Sequence, residues 1–380
     1  MSSSDSATNS EIPHDTDQTR AAMTSDPAEP VLVITHDKNL RGTGPSTSLA
    51  VSADLLLDRG VALTFAHTSR VRNFWKFLRA PRVLFDSVAA LRHGYGAVWY
   101  FLALCLGKQR ALYWHETEWA IDAACAWPRG FQPRRRLKTL AVRWSFRDAG
   151  LTHFHVCTHG ANLLRTRYRV RSPNIMILNN CCDSDTVLSY PVPNRHEPGL
   201  FVAVGRAQRR KGTDLFLEIA SRVVAVRPEA KFLWVGALPD GEFSKQALTR
   251  EIDRLGLSDH VTLTGFRSDR FAIMAEAEAI LLTSRDDPLP KTLQEALALG
   301  RPSVAFDVGG VADIVHPYDD LVPFEHIDAF ARILIDTPAR RLDDAAQFAR
   351  RDRFLQKFTA SAFADRFMFV FAQWQLGRTA

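Results

Sequence analysis

FVAVGRAQRRKG, residues 201–212, is an apolar strand that runs into Gly205 and Arg206, then a turn that delivers Lys211 and Gly212 at the head of an amphipathic stretch over 213–226. A glycine directly after a strand lets backbone approach a ligand closely. Arg206 offers a planar fork and Lys211 a compact point charge. If the turn folds back on itself the two converge on one spot, an arrangement suited to a leaving group that gathers negative charge. Taken alone, the stretch also fits a strand, a turn and a solvated basic helix start.

The same rhythm extends in both directions. Short apolar runs at 231–235, 261–264, 279–283 and 303–306 follow it, and runs at 31–35, 61–66, 111–114, 154–157 and 175–178 precede it, with helical periodicity between them, as over 271–278. Alternation of this kind predicts an α/β fold of two Rossmann-like, doubly wound domains facing a cleft. SYPVPNRHEPG, residues 189–199, carries three prolines and marks the boundary. Ligands of such sheets lie beyond the carboxyl ends of the strands, where every candidate residue here falls.

The second informative segment, 280–300, reads ILLTSRDDPLPKTLQEALALG. A buried-type strand ends at Thr283, a loop carries Asp286 and Asp287, and Pro290 suits the first position of a helix. The N–H groups that follow it, of Lys291 and Thr292, would present a partial positive charge to phosphate. Asp287 sits just outside that helix start and Glu295 in its second turn, so their carboxylates are natural partners for sugar and ribose hydroxyls.

With 380 residues, 46% of them hydrophobic, the chain has room for two domains with their own cores. Residues 1–30 hold six acidic residues, one basic residue and hardly a large apolar group, which predicts a disordered tail. Since the whole chain carries +6, the remainder carries +11, a charge that favours anionic ligands or surfaces. The tail lacks the pattern of a secretory signal. Cys105, Cys125, Cys157, Cys181 and Cys182 have neither metal-ligand spacing nor an even disulfide framework, which fits a reducing cytoplasm. The longest apolar run, 97–107, is about half of what a membrane-spanning helix needs.

Several motifs, in order, resemble the retaining glycosyltransferases of family 4, also called glycosyl transferases group 1, which have the GT-B fold. GRAQRRKG resembles that family's Gly-Arg-x-x-x-x-Lys-Gly, and Asp287 with Glu295 resembles its acidic pair, in the variant Ser-Arg-Glu-Asp-Pro-Phe-Pro. Asp287 stands where the family usually has a glutamate, one methylene longer. ILNNCCD at 177–183 is similar to Ile-Pro-Asn-Gly-Val-Asp, with Cys181 in place of the glycine; FDVGG at 306–310 resembles the late glycine pair, and GTGPSTSLA at 42–50 the early glycine-rich loop. The likeness runs from about residue 31 to the C-terminus and is strongest in the second half.

The resemblance implies transfer of a sugar, with retention, from a nucleotide-diphosphate sugar to a hydroxyl of a glycan or lipid-linked acceptor, as in surface polysaccharide assembly. Arg206 and Lys211 would neutralise the diphosphate. Glu295 would hold the ribose, Asp287 the donor sugar, and the helix start at Pro290, Lys291 and Thr292 the phosphates. Gly205, Gly309 and Gly310 would allow close approach to the donor. In the first half, Gly42 and Gly44 would bring backbone N–H groups near the diphosphate unless they form a plain strand-to-helix turn. His115 would contact the donor sugar unless it is a core-edge histidine satisfied by backbone. Glu116 would orient an acceptor hydroxyl or pair with a nearby arginine. No cofactor and no metal site are implied.

The expected units are a tail over 1–30, an acceptor-side domain over 31–188, a linker over 189–199, a nucleotide-sugar domain over 200–353, and a C-terminal helix over 354–380 that returns to the first domain. Residues 129–147 carry seven basic residues and no acidic one, with Leu137, Leu140, Ala141 and Trp144 at helical spacing, and 70–82 is likewise basic and aromatic. Such a helix either turns its apolar stripe to the core or rests on an anionic cytoplasmic leaflet. No nucleic-acid module accompanies these charges. Two rivals remain. A glycosidase needs its carboxylates roughly 5 to 9.5 Å apart, whereas eight helical residues span about 12 Å; a nucleotide-sugar-binding partner without activity is the other.

Overall fold

The structure is a computed structural model that describes residues 28–36, 47–70, 73–191, 196–315, 317, 319–336 and 343–376. Strands β1 (Glu29–Thr35), β2 (Val61–His67), β3 (Arg82–Asp86), β4 (Gln109–Trp114), β5 (Leu151–His155) and β6 (Ile175–Ile177) form one parallel sheet in the order β2-β1-β3-β4-β5-β6. A second parallel sheet takes β7 (Leu200–Val204), β8 (Lys231–Val235), β9 (Val261–Gly265), β10 (Ala279–Leu282), β11 (Ser303–Asp307) and β12 (Asp320–Pro323) in the order β12-β11-β10-β7-β8-β9. Helices cover both sheets, which is why a central strand such as β10 is buried along its whole length and reads AILL without alternation.

The strand order reverses between β1 and β3 in the first sheet and between β7 and β10 in the second. Connections leave such a switch point in opposite directions and open a crevice beyond the strand ends. The loops after β7 and β10 are those that carry Gly205 to Gly212 and Ser284 to Pro290.

Several boundaries differ from the sequence expectation. Strand β1 begins at Glu29, inside the expected tail, because Glu29 and Pro30 pair with Val61 and Ala62 of β2; residues 1–27 lie outside the described residues. β3 was hidden by its cationic flanks, although RVLFD is buried from Val83 to Asp86. β12 was hidden by its brevity. β5 ends at His155 and not Cys157, since Cys157 leaves the sheet to cap the helix Thr158–Thr166.

The expected single C-terminal helix is two helices, Asp344–Lys357 and Ala360–Leu376, that part at Phe358 and Thr359. The first is fastened to the second domain through Arg350, whose Nε lies 2.8 Å from Asp319 Oδ1 with both side chains fully buried. The second crosses to the first domain. Its Phe363, Phe367, Phe371 and Trp374 are buried, Trp374 meets Phe154 edge-on at 5.9 Å, and Arg59 pairs with Asp365.

Candidate active site

At the end of β7 the chain turns through Gly205 and a short 3-10 turn, Arg209–Lys211, to Gly212 in the left-handed region (φ 67°, ψ 37°). Glycine is needed there twice over. Its conformation is costly for other residues, and a Cβ would lie 1.8 Å from the Thr283 carbonyl oxygen. The Thr283 hydroxyl donates to the carbonyls of Gly212 (2.9 Å) and Lys211 (3.2 Å), so the end of β10 holds the turn in place. Arg285 adds a two-pronged pair to Asp214 at 2.7 Å on each arm.

This scaffold aims Lys211 across the crevice. Its side chain passes over Gly205, where an added Cβ would touch its methylenes at 3.8 Å, and its Nζ ends 2.5 Å from Asp287 Oδ2. Ser284 Oγ donates to the same oxygen at 3.3 Å, and Arg210 donates to the Asp286 carbonyl at 2.8 Å. Arg206 is exposed beside Gly205. The two cations and Asp287 therefore stand on adjacent loops at the switch point.

The helix Lys291–Ala298 starts one residue later than the sequence predicts. Pro290 is its N-cap, not its first helical residue, because ψ is 120° there. Thr292 donates its hydroxyl to the Val204 carbonyl at 3.3 Å, which ties the helix start to the end of β7. Glu295 is 7% exposed and accepts from Arg270 Nη2 at 3.1 Å. Burial pushes its carboxyl up, against the pull of Arg270, Lys291 and Lys211. Lys211 thus acts on both carboxylates. Burial pushes the Lys291 ammonium down, opposed by Cys181, Cys182, Glu295 and Asp86.

Gly309 and Gly310 serve a close approach of backbone to backbone. A Cβ on Gly309 would fall 2.1 Å from the Asp287 carbonyl oxygen, and one on Gly310 would fall 1.9 Å from that of Pro288 and 2.4 Å from Cys157 Cβ in the first domain. The Gly310 N–H donates to the Asp287 carbonyl at 3.0 Å. Asn180 bridges the domains as well: its Nδ2 donates to the Leu289 carbonyl at 3.2 Å and its Oδ1 accepts from Gln294 at 2.6 Å.

From the first domain, His115 Nε2 lies 3.2 Å from Asp86 Oδ1, and its ring rests on Tyr113 with centroids 3.9 Å apart. His115 is held by a side chain, not by backbone. Asp86 was missed in the sequence together with β3. It is fully buried, and its Oδ2 has no hydrogen-bond partner among the described residues. Among the described residues Glu116 pairs with no arginine; it accepts from the N–H groups of His115 (3.0 Å) and Ala89 (3.3 Å), at the head of the helix Val88–Arg92. Gly42 and Gly44 lie outside the described residues. All five cysteines are free thiols. Among the described residues no three His, Cys, Asp or Glu side chains cluster as a metal ion would require, and no helix is long and apolar enough to cross a membrane.

Two sheets of this order, with a cationic turn and an acidic pair at the second switch point, define a GT-B architecture. Residues 198–337 match the family model of the glycosyl transferases group 1. The alpha-D-kanosaminyltransferase of Streptomyces kanamyceticus is 31% identical over 145 residues, 36% of each chain. The lipopolysaccharide core biosynthesis glycosyltransferase LpsD of Rhizobium meliloti is 29% identical over 175 residues, 44% of this chain and 48% of that one. The match thus spans less than half the length of these relatives. Anabaena Alr3699/HepE in complex with UDP superposes with a TM-score of 0.64 at 16% identity, over 91% of this chain and 100% of that one. The lipopolysaccharide outer core galactosyltransferase WaaB gives 0.64 at 15% identity, over 90% and 99%.

Proposed function

We propose that the chain transfers a sugar from a nucleotide-diphosphate donor to a hydroxyl of a glycan or lipid-linked acceptor, with retained anomeric configuration and without a metal ion, in surface polysaccharide assembly. The observation that carries this is Lys211 at the switch point, 2.5 Å from Asp287 and within electrostatic reach of Glu295. Lys211 and Arg206 take up the charge that develops on the diphosphate as the glycosidic bond breaks, usually the largest catalytic contribution. Asp287 orients Lys211 and the donor sugar. Glu295 receives the ribose hydroxyls, and His115 with Asp86 closes the sugar pocket from the first domain.

The chain works at the cytoplasmic face of a membrane in this account. The helix Pro133–Ser145 buries Thr139, Ala141, Val142 and Ser145, which leaves Leu137, Leu140 and Trp144 between 40% and 42% exposed and Phe131 just before it 87% exposed. The expected single apolar stripe is therefore split, with Ala141 turned inward and the larger side chains outward among arginines. That is the pattern of a helix resting on an anionic leaflet.

A panel of UDP-, GDP- and dTDP-sugars, scored for thermal stabilisation and for turnover with membrane extract, tests the proposal. UDP-glucose is the first to try, since HepE has been crystallised with it. One donor should stabilise the fold by about 2.7 kcal/mol at a hundredfold excess over its Kd and be consumed. Binding of a donor without transfer to any acceptor favours the inactive binding partner; no binding at all contradicts the assignment of the site.

A further inference from the structure

Away from the donor crevice, the first domain has an open cavity of about 480 Å³ between the end of the helix Val88–Arg92, the segment Ala126 to Pro128 and one side of the helix Pro133–Ser145. Arg92, His93, Arg135 and Lys138 line it, Trp127 forms a wall, and no acidic residue takes part. None of the three strong cations has a carboxylate within ion-pair distance among the described residues. Burial first, then His36, Lys138, Arg92 and His67, push the His93 imidazolium down. Like charges gathered without counter-charge cost the fold energy and focus anions onto the spot. The cavity is large enough for a phosphorylated sugar. Trp127 is also steadied, with Arg136 over its ring at 6.0 Å.

Its position relative to the candidate active site is fixed by a single helix. Val88–Arg92 starts where Glu116 accepts from the Ala89 N–H, beside His115 and Asp86, and ends at the cavity. Five helical residues span about 7.5 Å. The His93 ring also stacks on His36, centroids 5.2 Å apart, at the end of β1.

We infer that this cavity binds a phosphate or diphosphate group of the acceptor, set about one sugar ring from the hydroxyl that is glycosylated. The inference rests on the proposed transferase activity and adds the class of acceptor: a sugar phosphate in solution, or a sugar joined through phosphate to a lipid. Phosphate oxygens would take the guanidinium forks of Arg92 and Arg135 and the point charge of Lys138, with the sugar against Trp127.

Titration of the full chain with pyrophosphate, in an excess of mixed UDP and GDP that fills the donor site, tests it. The wild type should bind pyrophosphate, and the double variant Arg135→Ala/Lys138→Ala should bind it at least about tenfold more weakly while keeping its nucleotide affinity, which also shows that the variant is folded. Equal binding by both chains, or none by the wild type, overturns the inference. Competition at constant ionic strength separates the two sources: release of the wild type from phosphatidylglycerol vesicles by pyrophosphate assigns the anion to a lipid headgroup, and sedimentation unchanged by pyrophosphate that nonetheless binds assigns it to a soluble phosphate. A chain that binds neither UDP nor GDP removes the donor-site proposal instead and leaves this comparison, made in the other domain, intact.

Discussion

Lys211→Ala is expected to lower sugar transfer about 100-fold or more, the effect of losing one preorganised charge at a developing anion. The ammonium at 2.5 Å from Asp287 neutralises a carboxylate whose side chain is only 7% exposed. Without it, Asp287 keeps only Ser284 at 3.3 Å and the more distant Arg210 at 4.0 Å, and presents a less compensated negative charge to the diphosphate. The loss should thus be felt in kcat as well as in donor affinity. The fold should persist, because the turn is held by the Lys211 and Gly212 carbonyls on Thr283, which the substitution leaves in place. Lys211→Arg, which keeps the charge with a different reach, should fall between the two. Near-normal turnover by the alanine variant would remove Lys211 from the chemistry.

Asp148→Ala should cost about 3 to 5 kcal/mol of stability, the range found when one partner of a buried ion pair is removed. Asp148 holds Arg110 with both oxygens at 3.1 Å, accepts from the fully buried Tyr100 hydroxyl at 2.9 Å and from the Gly150 N–H at 3.1 Å. Alanine would orphan all three donors at once, one of them a guanidinium 8% exposed. Burial, the largest cause keeping the Tyr100 phenol neutral, persists in the variant, so that hydroxyl still needs an acceptor. Urea unfolding followed by tryptophan fluorescence measures the loss. Asp148→Asn, whose single amide oxygen keeps an acceptor for one of Tyr100 and Gly150, should lose less; a loss below about 1 kcal/mol in the alanine variant would contradict the pairing.

What the sequence disclosed and what it hid follow from how local each signal is. Strands such as FVAV and AILL are buried on both faces and read as unbroken apolar runs, and the residues after them fall at the switch point by topology alone. β3 escaped because RVLFD begins with the last cation of a basic, aromatic stretch, and Asp86 escaped with it. The Arg270 partner of Glu295 lies 25 positions upstream, where no spacing rule points to it. The helix Pro133–Ser145 was predicted, but its buried side was not: Leu137 and Trp144 look more suited to a core than Thr139 and Ser145, and only the packing against Val88–Arg92 and Gly96–Cys105 decides which side turns in. Gly309 and Gly310 were read as allowing close approach to the donor, whereas the approach visible in the fold is to the carbonyls of Asp287 and Pro288, which no local signal announces.

The most direct test of the donor site is a crystal structure of the chain with the nucleoside diphosphate that stabilises it most. The pyrophosphate should lie between Lys211, Arg206 and the start of the helix Lys291–Ala298, with the ribose on Glu295. Density for the phosphates anywhere else, with the Lys211–Asp287 pair undisturbed, would contradict the account.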